Sequence, residues 1–398
     1  MKLYGTIVGL RGRTQLSFDG DLIADVSPAP PDAPASDLLI APPFTDIQVN
    51  GYGGCSFLGA GASPGALVYV VRAFRQAGVL FFCPTVVTDS GANISHALRA
   101  LSAARQDSEV AHATPCFHLE GPYVSPEDGP RGAHPAEHVR PPDWDEFRRF
   151  QDAAEGRIGI VTLAPEQPGS LPFIERLAGA GVVVSLGHTG ANARQIADAV
   201  KAGARLSTHL GNGSHAKVNR HNNYIWEQLA NDALTASIIA DGYHLPPSVV
   251  KCFIRAKGVE QTILTSDVVA AGGLSSGTYR TPDGREIEVR PGGRVNLKGT
   301  PYLAGAGLLL PAGIENAVRF AGISLAESVR MATTIPARLL GMEDRVGAVA
   351  PGKEATLTLF RWNAETYQLA VEGVVLRGRL IRAAEMGDAL KPAGTQLF

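Results

Sequence analysis

From residue 38 onward the chain keeps one hydrophobic rhythm: a short apolar run, then a polar or amphipathic stretch of helical length. That alternation is the pattern of βα units, whose strands lie side by side in a parallel sheet. Eight runs can be placed, at 39–49, 79–87, 115–119, 158–163, 182–186, 205–208, 236–240 and 262–265. Eight is the number of parallel strands that closes a barrel. Between them, 64–77, 93–105, 191–202 and 247–256 carry apolar residues at helical spacing and are expected in an outer ring of helices.

The two ends of the chain lack this rhythm. Segments 3–8 and 22–26 read as short strands, followed by a Pro- and Ala-rich stretch at 27–36. After the eighth run comes a Gly-rich excursion, 271–299, in which Thr281-Pro282-Asp283-Gly284 reads as a hairpin turn between two short strands. A helical stretch at 311–340 follows, and from 346 the pattern returns to strands, at 355–360 and 371–381. Neither end has enough apolar surface to offset its own ordering entropy, so the two are expected to pair. The expected architecture is therefore α/β: a (β/α)8 TIM barrel over 42–342, with a small β-sandwich domain formed by 1–41 and 343–398.

Composition narrows the function. A formal net charge of -2 over 398 residues offers no basic footprint for nucleic acid. No uninterrupted apolar run approaches the roughly 20 residues of a membrane span. Residues 1–10 show no small-residue cleavage site behind their apolar stretch, so no signal peptide is expected and the cytoplasm is the expected location. Four cysteines, Cys55, Cys83, Cys116 and Cys252, lie far apart with no C-x-x-C pair, which favours reduced thiols over disulfides or a thiolate zinc site. Small molecules, or a second copy of the chain, are the expected partners.

In a barrel of this kind catalytic groups sit at the C-terminal ends of the strands. The third run ends in His118-Leu119-Glu120-Gly121, the fifth in Leu186-Gly187-His188, the sixth in Thr208-His209-Leu210, the seventh in Asp241-Gly242-Tyr243-His244, and the eighth in Ser266-Asp267. Any one of these polar residues alone is ordinary; several at matching strand ends are not. Glu120, His188 and His209 make a His₂Glu set, the three-ligand arrangement that leaves a catalytic zinc an open position for water. Iron(II) or another divalent ion suits the same donors. Asp267 is the candidate general base, able to take a proton from water and return it to a departing nitrogen. His134, on the long loop after the third strand, is placed to polarise a substrate carbonyl, and His244 to bind a sugar hydroxyl or assist that polarisation. The first run ends in Asp46-Ile47-Gln48-Val49-Asn50 without a His-x-His pair, and the fourth, Thr162-Leu163-Ala164-Pro165-Glu166, brings no lysine that could bridge two metals. A single divalent ion is expected.

Taken together, Asp46-x-Gln48-x-Asn50-Gly51, His118-Leu-Glu-Gly-Pro122, Gly132-Ala-His134, Gly187-His-Thr189, Thr208-His-Leu210 with Asn212, Ala240-Asp-Gly-Tyr-His244 and Leu303-Ala-Gly305 resemble the N-acetylglucosamine-6-phosphate deacetylases of the amidohydrolase superfamily. The resemblance covers nearly the whole chain. It implies hydrolytic deacetylation of N-acetyl-D-glucosamine 6-phosphate, with Glu120, His188 and His209 as metal ligands and Asp267 as proton carrier. It further implies His134 and the Ala133 backbone against the substrate, His244 at the sugar, and Leu303, Ala304 and Gly305 along the pocket wall. Asn212, Gly213 and Arg220 are implied at the phosphate, and a homodimer is the expected assembly. One departure stands out: His209-Leu-Gly-Asn-Gly-Ser214 lacks the aromatic and the methionine usual there. An amidohydrolase acting on another N-acyl substrate, an unphosphorylated N-acetyl amino sugar or an N-acyl amino acid, is the alternative.

Overall fold

The structure, a computed structural model, describes residues 2–281 and 284–387. Eight parallel strands form one sheet in sequence order: Phe44–Val49, Val79–Val87, Phe117–Glu120, Ile158–Leu163, Val183–Leu186, Ala204–Ser207, Thr235–Ile238 and Thr262–Leu264. The seam between the eighth strand and the first is closed by a parallel bridge from Val49 to Val268. Two backbone bonds reinforce it, Asp267 N–H to the Gln48 carbonyl at 3.0 Å and Asn50 N–H to the Val268 carbonyl at 2.8 Å. Below them the Asp46 carboxylate accepts from the Thr265 hydroxyl at 2.6 Å and the Ser266 N–H at 3.2 Å. The TIM barrel expected from the eight apolar runs is the fold observed.

The expected first run, 39–49, is two strands in two different sheets. Pro42 and Pro43 have no N–H to give to a ladder, so the run breaks there. Leu39–Ala41 instead joins a seven-stranded sheet built from both ends of the chain, in the order Arg379–Arg382, Gln368–Leu376, Leu357–Asn363, Leu39–Ala41, Lys2–Ile7, Thr14–Asp19, Leu22–Pro28. Leu3, Leu16, Ile23, Ile40, Leu357 and Val375 fill its own core. Phe360 meets Phe44 across the junction with the barrel, ring centres 5.9 Å apart, and Thr358 donates to the Gly78 carbonyl at 2.7 Å.

Two other expectations are refined. The helical stretch at 311–340 is three helices, Leu310–Ala321, Leu325–Met331 and Thr334–Leu339, because Gly322 ends the first in left-handed backbone and Ser324 caps the second through Glu327. The Gly-rich excursion carries a third strand, Val295–Leu297, beside the expected pair Gly277–Arg280 and Glu286–Val289. Pro282 and Asp283 of the expected hairpin turn lie outside the described residues, as does the 388–398 end of the expected small β domain.

Inside the barrel the side chains lie in layers. Ile47, Cys83, Ile160, Val183, Leu206 and Ile263 pack as an apolar floor, with Ile335 of the last helix against them. Above it runs a polar belt, in which His118 Nε2 meets Thr162 Oγ1 at 2.7 Å and Thr162 Oγ1 meets Thr208 Oγ1 at 2.6 Å. Burial holds the His118 imidazole down at about 4.

Two outcomes follow for stability. Gly78 has φ +71°, and a Cβ there would lie 2.4 Å from Thr358 Cγ2. Gly78→Ala is expected to destabilise the protein by about 1–3 kcal/mol in urea unfolding. Gly12→Ala, left-handed but with open space around its Cβ, is expected to cost less, about 1 kcal/mol. For His118, the unfolded imidazole binds a proton near pH 6.5 and the native one only near 4. Stability should therefore fall as pH drops through that window, by about 3 kcal/mol in full from this group. His118→Asn should flatten that slope in unfolding free energy measured against pH.

Candidate active site

The C-terminal rim of the barrel carries unusual backbone. Glu120 is the last residue of the third strand, and His188 and His209 each lie two residues past the ends of the fifth and sixth. His188, His209 and Asp267 have φ of +50°, +29° and +51°, three of the six non-glycine residues in left-handed backbone among those described. Such conformations cost on the order of 1–3 kcal/mol and persist where the surroundings enforce them. Here each turns a side chain from a strand end toward the barrel axis.

The side chains meet at one oxygen. Glu120 Oε1 lies 3.1 Å from His188 Nε2 and 2.9 Å from His209 Nε2, and the two Nε2 atoms are 3.1 Å apart. Gln48 Nε2 donates to the same oxygen at 2.9 Å, reaching it from the first strand. On the far side of its ring, His188 Nδ1 donates to the Pro130 carbonyl at 2.9 Å, so Nε2 turns its lone pair to the cluster. Gly213 closes over the same ring: a Cβ there would sit 2.6 Å from His188 Nδ1, so the loop can lie this close only with glycine.

Asp267 is half-buried beside this cluster, its Oδ1 accepting from Asn50 Nδ2 at 2.7 Å. Burial, and then the charge of Glu120, push its carboxyl up to about 7. Burial also opposes ionisation of Glu120, yet the adjoining imidazoles of His188 and His209 hold that carboxyl well below its usual range. Burial alone would lower His209; the bond and charge of Glu120 reverse this and leave it above its ordinary value. His134 is buried edge-on to His188, ring centres 4.1 Å apart, with Nδ1 2.7 Å from the Thr88 hydroxyl. Burial and the neighbouring His188 drive it down to about 3, so it is neutral.

Which residues can hold a metal follows from these distances. One donor atom from each of Glu120, His134 and His188 lies within 4.8 Å of the others. Glu120, His188 and His209 are tighter, at 2.9–3.1 Å, and two imidazole nitrogens facing each other over a carboxylate suit a shared cation better than each other. Nitrogen and oxygen donors in this ratio fit a borderline divalent ion.

The remaining predicted residues are spread around this centre. His244 stands on the rim after the seventh strand, paired with Asp241 at 2.7 Å. Leu303, Ala304 and Gly305 lead into Ala306, which bridges to Val268 next to Asp267. Asn212 folds back on the His209 carbonyl, its N–H donating at 2.9 Å. Ala133 is exposed beside His134, and Arg220 is exposed on the loop before the helix Tyr224–Ala230, away from the Glu120 cluster. Gln48, Asn50, Thr88 and Asp241 complete the site, and the sequence assigned them no role in it. In the sequence Gln48 and Asn50 marked only the absence of a His-x-His pair and a motif of the resemblance; as amide donors they reach both carboxylates.

The Amidohydrolase family profile matches residues 39–381. The N-acetylglucosamine-6-phosphate deacetylase of Bacillus subtilis (strain 168) is 35% identical over 336 residues, 84% of this chain and 83% of that one. The N-acetylgalactosamine-6-phosphate deacetylase of Escherichia coli O157:H7 is 30% identical over 361 residues, 90% of this chain and 93% of its own. The crystal structure of N-acetyl-D-glucosamine-6-phosphate deacetylase from Mycobacterium smegmatis matches with a TM-score of 0.84 at 29% identity, covering 96% of this chain and all of that one. With a barrel rim of this chemistry and relatives of this closeness over most of its length, the chain belongs to the amidohydrolase family, in the group of the N-acetylglucosamine-6-phosphate deacetylases.

Proposed function

We propose that this enzyme hydrolyses N-acetyl-D-glucosamine 6-phosphate to D-glucosamine 6-phosphate and acetate. The observation that carries the reading is the meeting of Glu120, His188 and His209 within 3.1 Å, with the half-buried Asp267 beside them. Glu120, His188 and His209 would hold one divalent ion; zinc fits the donors, and iron(II) is acceptable to them. When bound, that ion supplies Lewis acidity toward oxygen.

The chain's own groups handle the protons. Asp267, steadied by Asn50, takes a proton from the attacking water and passes it to the amide nitrogen. The C–N bond then breaks, the amine departs neutral with that proton, and the acetyl group leaves as acetic acid, whose remaining water-derived proton is lost to solvent to give acetate. His134, uncharged, has Nδ1 2.7 Å from the Thr88 hydroxyl; with that hydroxyl donating to Nδ1, its N–H stands at Nε2 to donate to the acetyl carbonyl. The Ala133 backbone, His244 and the Leu303-Ala304-Gly305 segment line the sugar. Asn212, Gly213 and Arg220 take the phosphate, an Arg fork matching its oxygens. Exposed Arg220 lies near two exposed apolar residues, Val218 and Trp226, which supports a homodimer joined at this face. Four free cysteines support the reducing cytoplasm as its location.

A second reading is favoured by the Gly211 to Asn223 loop, where glycine and serine replace an aromatic and a methionine and leave room for a different sugar or N-acyl group. A relative acting on N-acetylgalactosamine 6-phosphate makes that epimer the first to compare.

Acetate release separates the readings. The metal-loaded enzyme is expected to release acetate faster from N-acetylglucosamine 6-phosphate than from its epimer or from unphosphorylated N-acetylglucosamine, and chelator-treated enzyme to release none. Faster turnover of another substrate would transfer the assignment to it. Asp267→Asn is expected to keep its metal content by elemental analysis while kcat falls on the order of a thousandfold; undiminished turnover would remove Asp267 from the proton path.

A further inference from the structure

The seventh strand, Thr235–Ile238, leads into the turn that carries His244, and the reaction above gives Asp241 of that turn no part. Asp241 is buried there and ends three hydrogen bonds. Its Oδ1 accepts from the backbone N–H groups of Tyr243 and His244, both at 2.8 Å. Its Oδ2 lies 2.7 Å from His244 Nδ1. The turn is pinned at both sides: Asn316 Nδ2 donates to the Ala240 carbonyl at 2.8 Å, and the Tyr243 hydroxyl donates to the Gly292 carbonyl at 3.0 Å.

A turn of this kind needs only one carboxylate oxygen to satisfy its two N–H groups. The second oxygen goes to an imidazole whose other nitrogen, Nε2, has no hydrogen-bond partner among the described residues. The pair stands close enough to the mouth for the charge of His244 to act on Asp267. An ionised carboxylate only accepts hydrogen bonds, so the hydrogen on the shared contact must sit on Nδ1. That settles the tautomer: neutral His244 turns a lone pair outward at Nε2.

We propose that Asp241 is a positioning residue for the deacetylation, acting through His244 by holding its imidazole in the Nδ1–H tautomer with Nε2 presented as an acceptor to a sugar hydroxyl. The role of the pair in turnover rests on the function proposed above; the tautomer does not. Asp241→Asn tests both, because an amide has one oxygen where the carboxylate has two. Kept on the two backbone N–H groups, that oxygen leaves the NH₂ facing His244 Nδ1, which drives the ring hydrogen to Nε2. The acceptor offered to the substrate then becomes a donor, with the turn intact.

The experiment combines a mutant cycle with nitrogen NMR. KM and kcat for N-acetylglucosamine 6-phosphate are measured for the wild type, Asp241→Asn, His244→Ala and the double variant. The histidine ring nitrogens of the wild type and Asp241→Asn are followed at alkaline pH, with His244→Ala giving the assignment. Asp241→Asn is expected to raise KM about tenfold, the worth of one misdirected hydrogen bond, with a smaller change in kcat. In the His244→Ala background the same change should add nothing. The wild-type His244 hydrogen should be found on Nδ1, moving to Nε2 in the variant. An equal loss with and without His244 would make Asp241 merely structural, and a wild-type hydrogen on Nε2 would overturn the tautomer. If the wild type does not turn over this sugar, the proposed function fails by itself and the NMR result still decides the state of His244.

Discussion

Glu120 sets a carboxylate where water cannot solvate it, and a buried ion survives only when its surroundings compensate it. Most of the mouth of the barrel can be understood as that compensation. Gln48 and the two imidazoles of His188 and His209 converge on one of its oxygens. To bring the imidazoles there, their backbones enter the left-handed region, and the Pro130 carbonyl fixes the far nitrogen of His188. The same charge then acts outward, keeping Asp267 reluctant to ionise in a site where a proton has to be taken and returned.

The barrel makes this arrangement rigid by layering its interior. An apolar floor stays out of the chemistry but supplies dense packing beneath it. The belt of His118, Thr162, Ser185 and Thr208 satisfies its own hydrogen bonds and separates that floor from the ionisable rim. Closure at the seam matters as much. Because Asp267 N–H bonds the Gln48 carbonyl, and Asn50 Nδ2 bonds the Asp267 carboxylate, the first strand sets the position of the last. Residues 48 and 50 thus serve the two carboxylates at once, Gln48 on Glu120 and Asn50 on Asp267. Histidines at these positions would be free to bind metal but could not supply both amide donors.

In the loop from Gly211 to Asn223, Gly213 lies against the His188 ring, where a Cβ would sit 2.6 Å from Nδ1. Arg220 is carried on the exposed end of that loop, so the group expected at the phosphate is set by a surface segment while the hydrolytic centre is set by strand ends. Strand ends and surface loops thus contribute separately to the mouth, a division common among barrels whose loops vary over one scaffold.

The sequence alone determined the barrel, because eight buried strands must be apolar and must alternate with amphipathic helices, and both periods show in one dimension. It also pointed to Glu120, His188, His209 and Asp267, which the barrel gathers at one mouth, since each stands at or just past the end of an apolar run. It did not show that Pro42 and Pro43 divide a single apolar run between two sheets, because a run's length does not say which neighbours its N–H groups find. Nor did it show Gln48 on Glu120, Asn50 on Asp267, Thr88 on His134 or Asp241 on His244 by two oxygens at once. The first two join residues 72 and 217 positions apart, and their hydrogen bonds exist only once the barrel has closed. Chemistry carried by residue type and local position was legible in the chain; chemistry carried by the direction of a hydrogen bond between distant strands was decided by the tertiary structure, since direction is a property of the closed barrel and of no single segment.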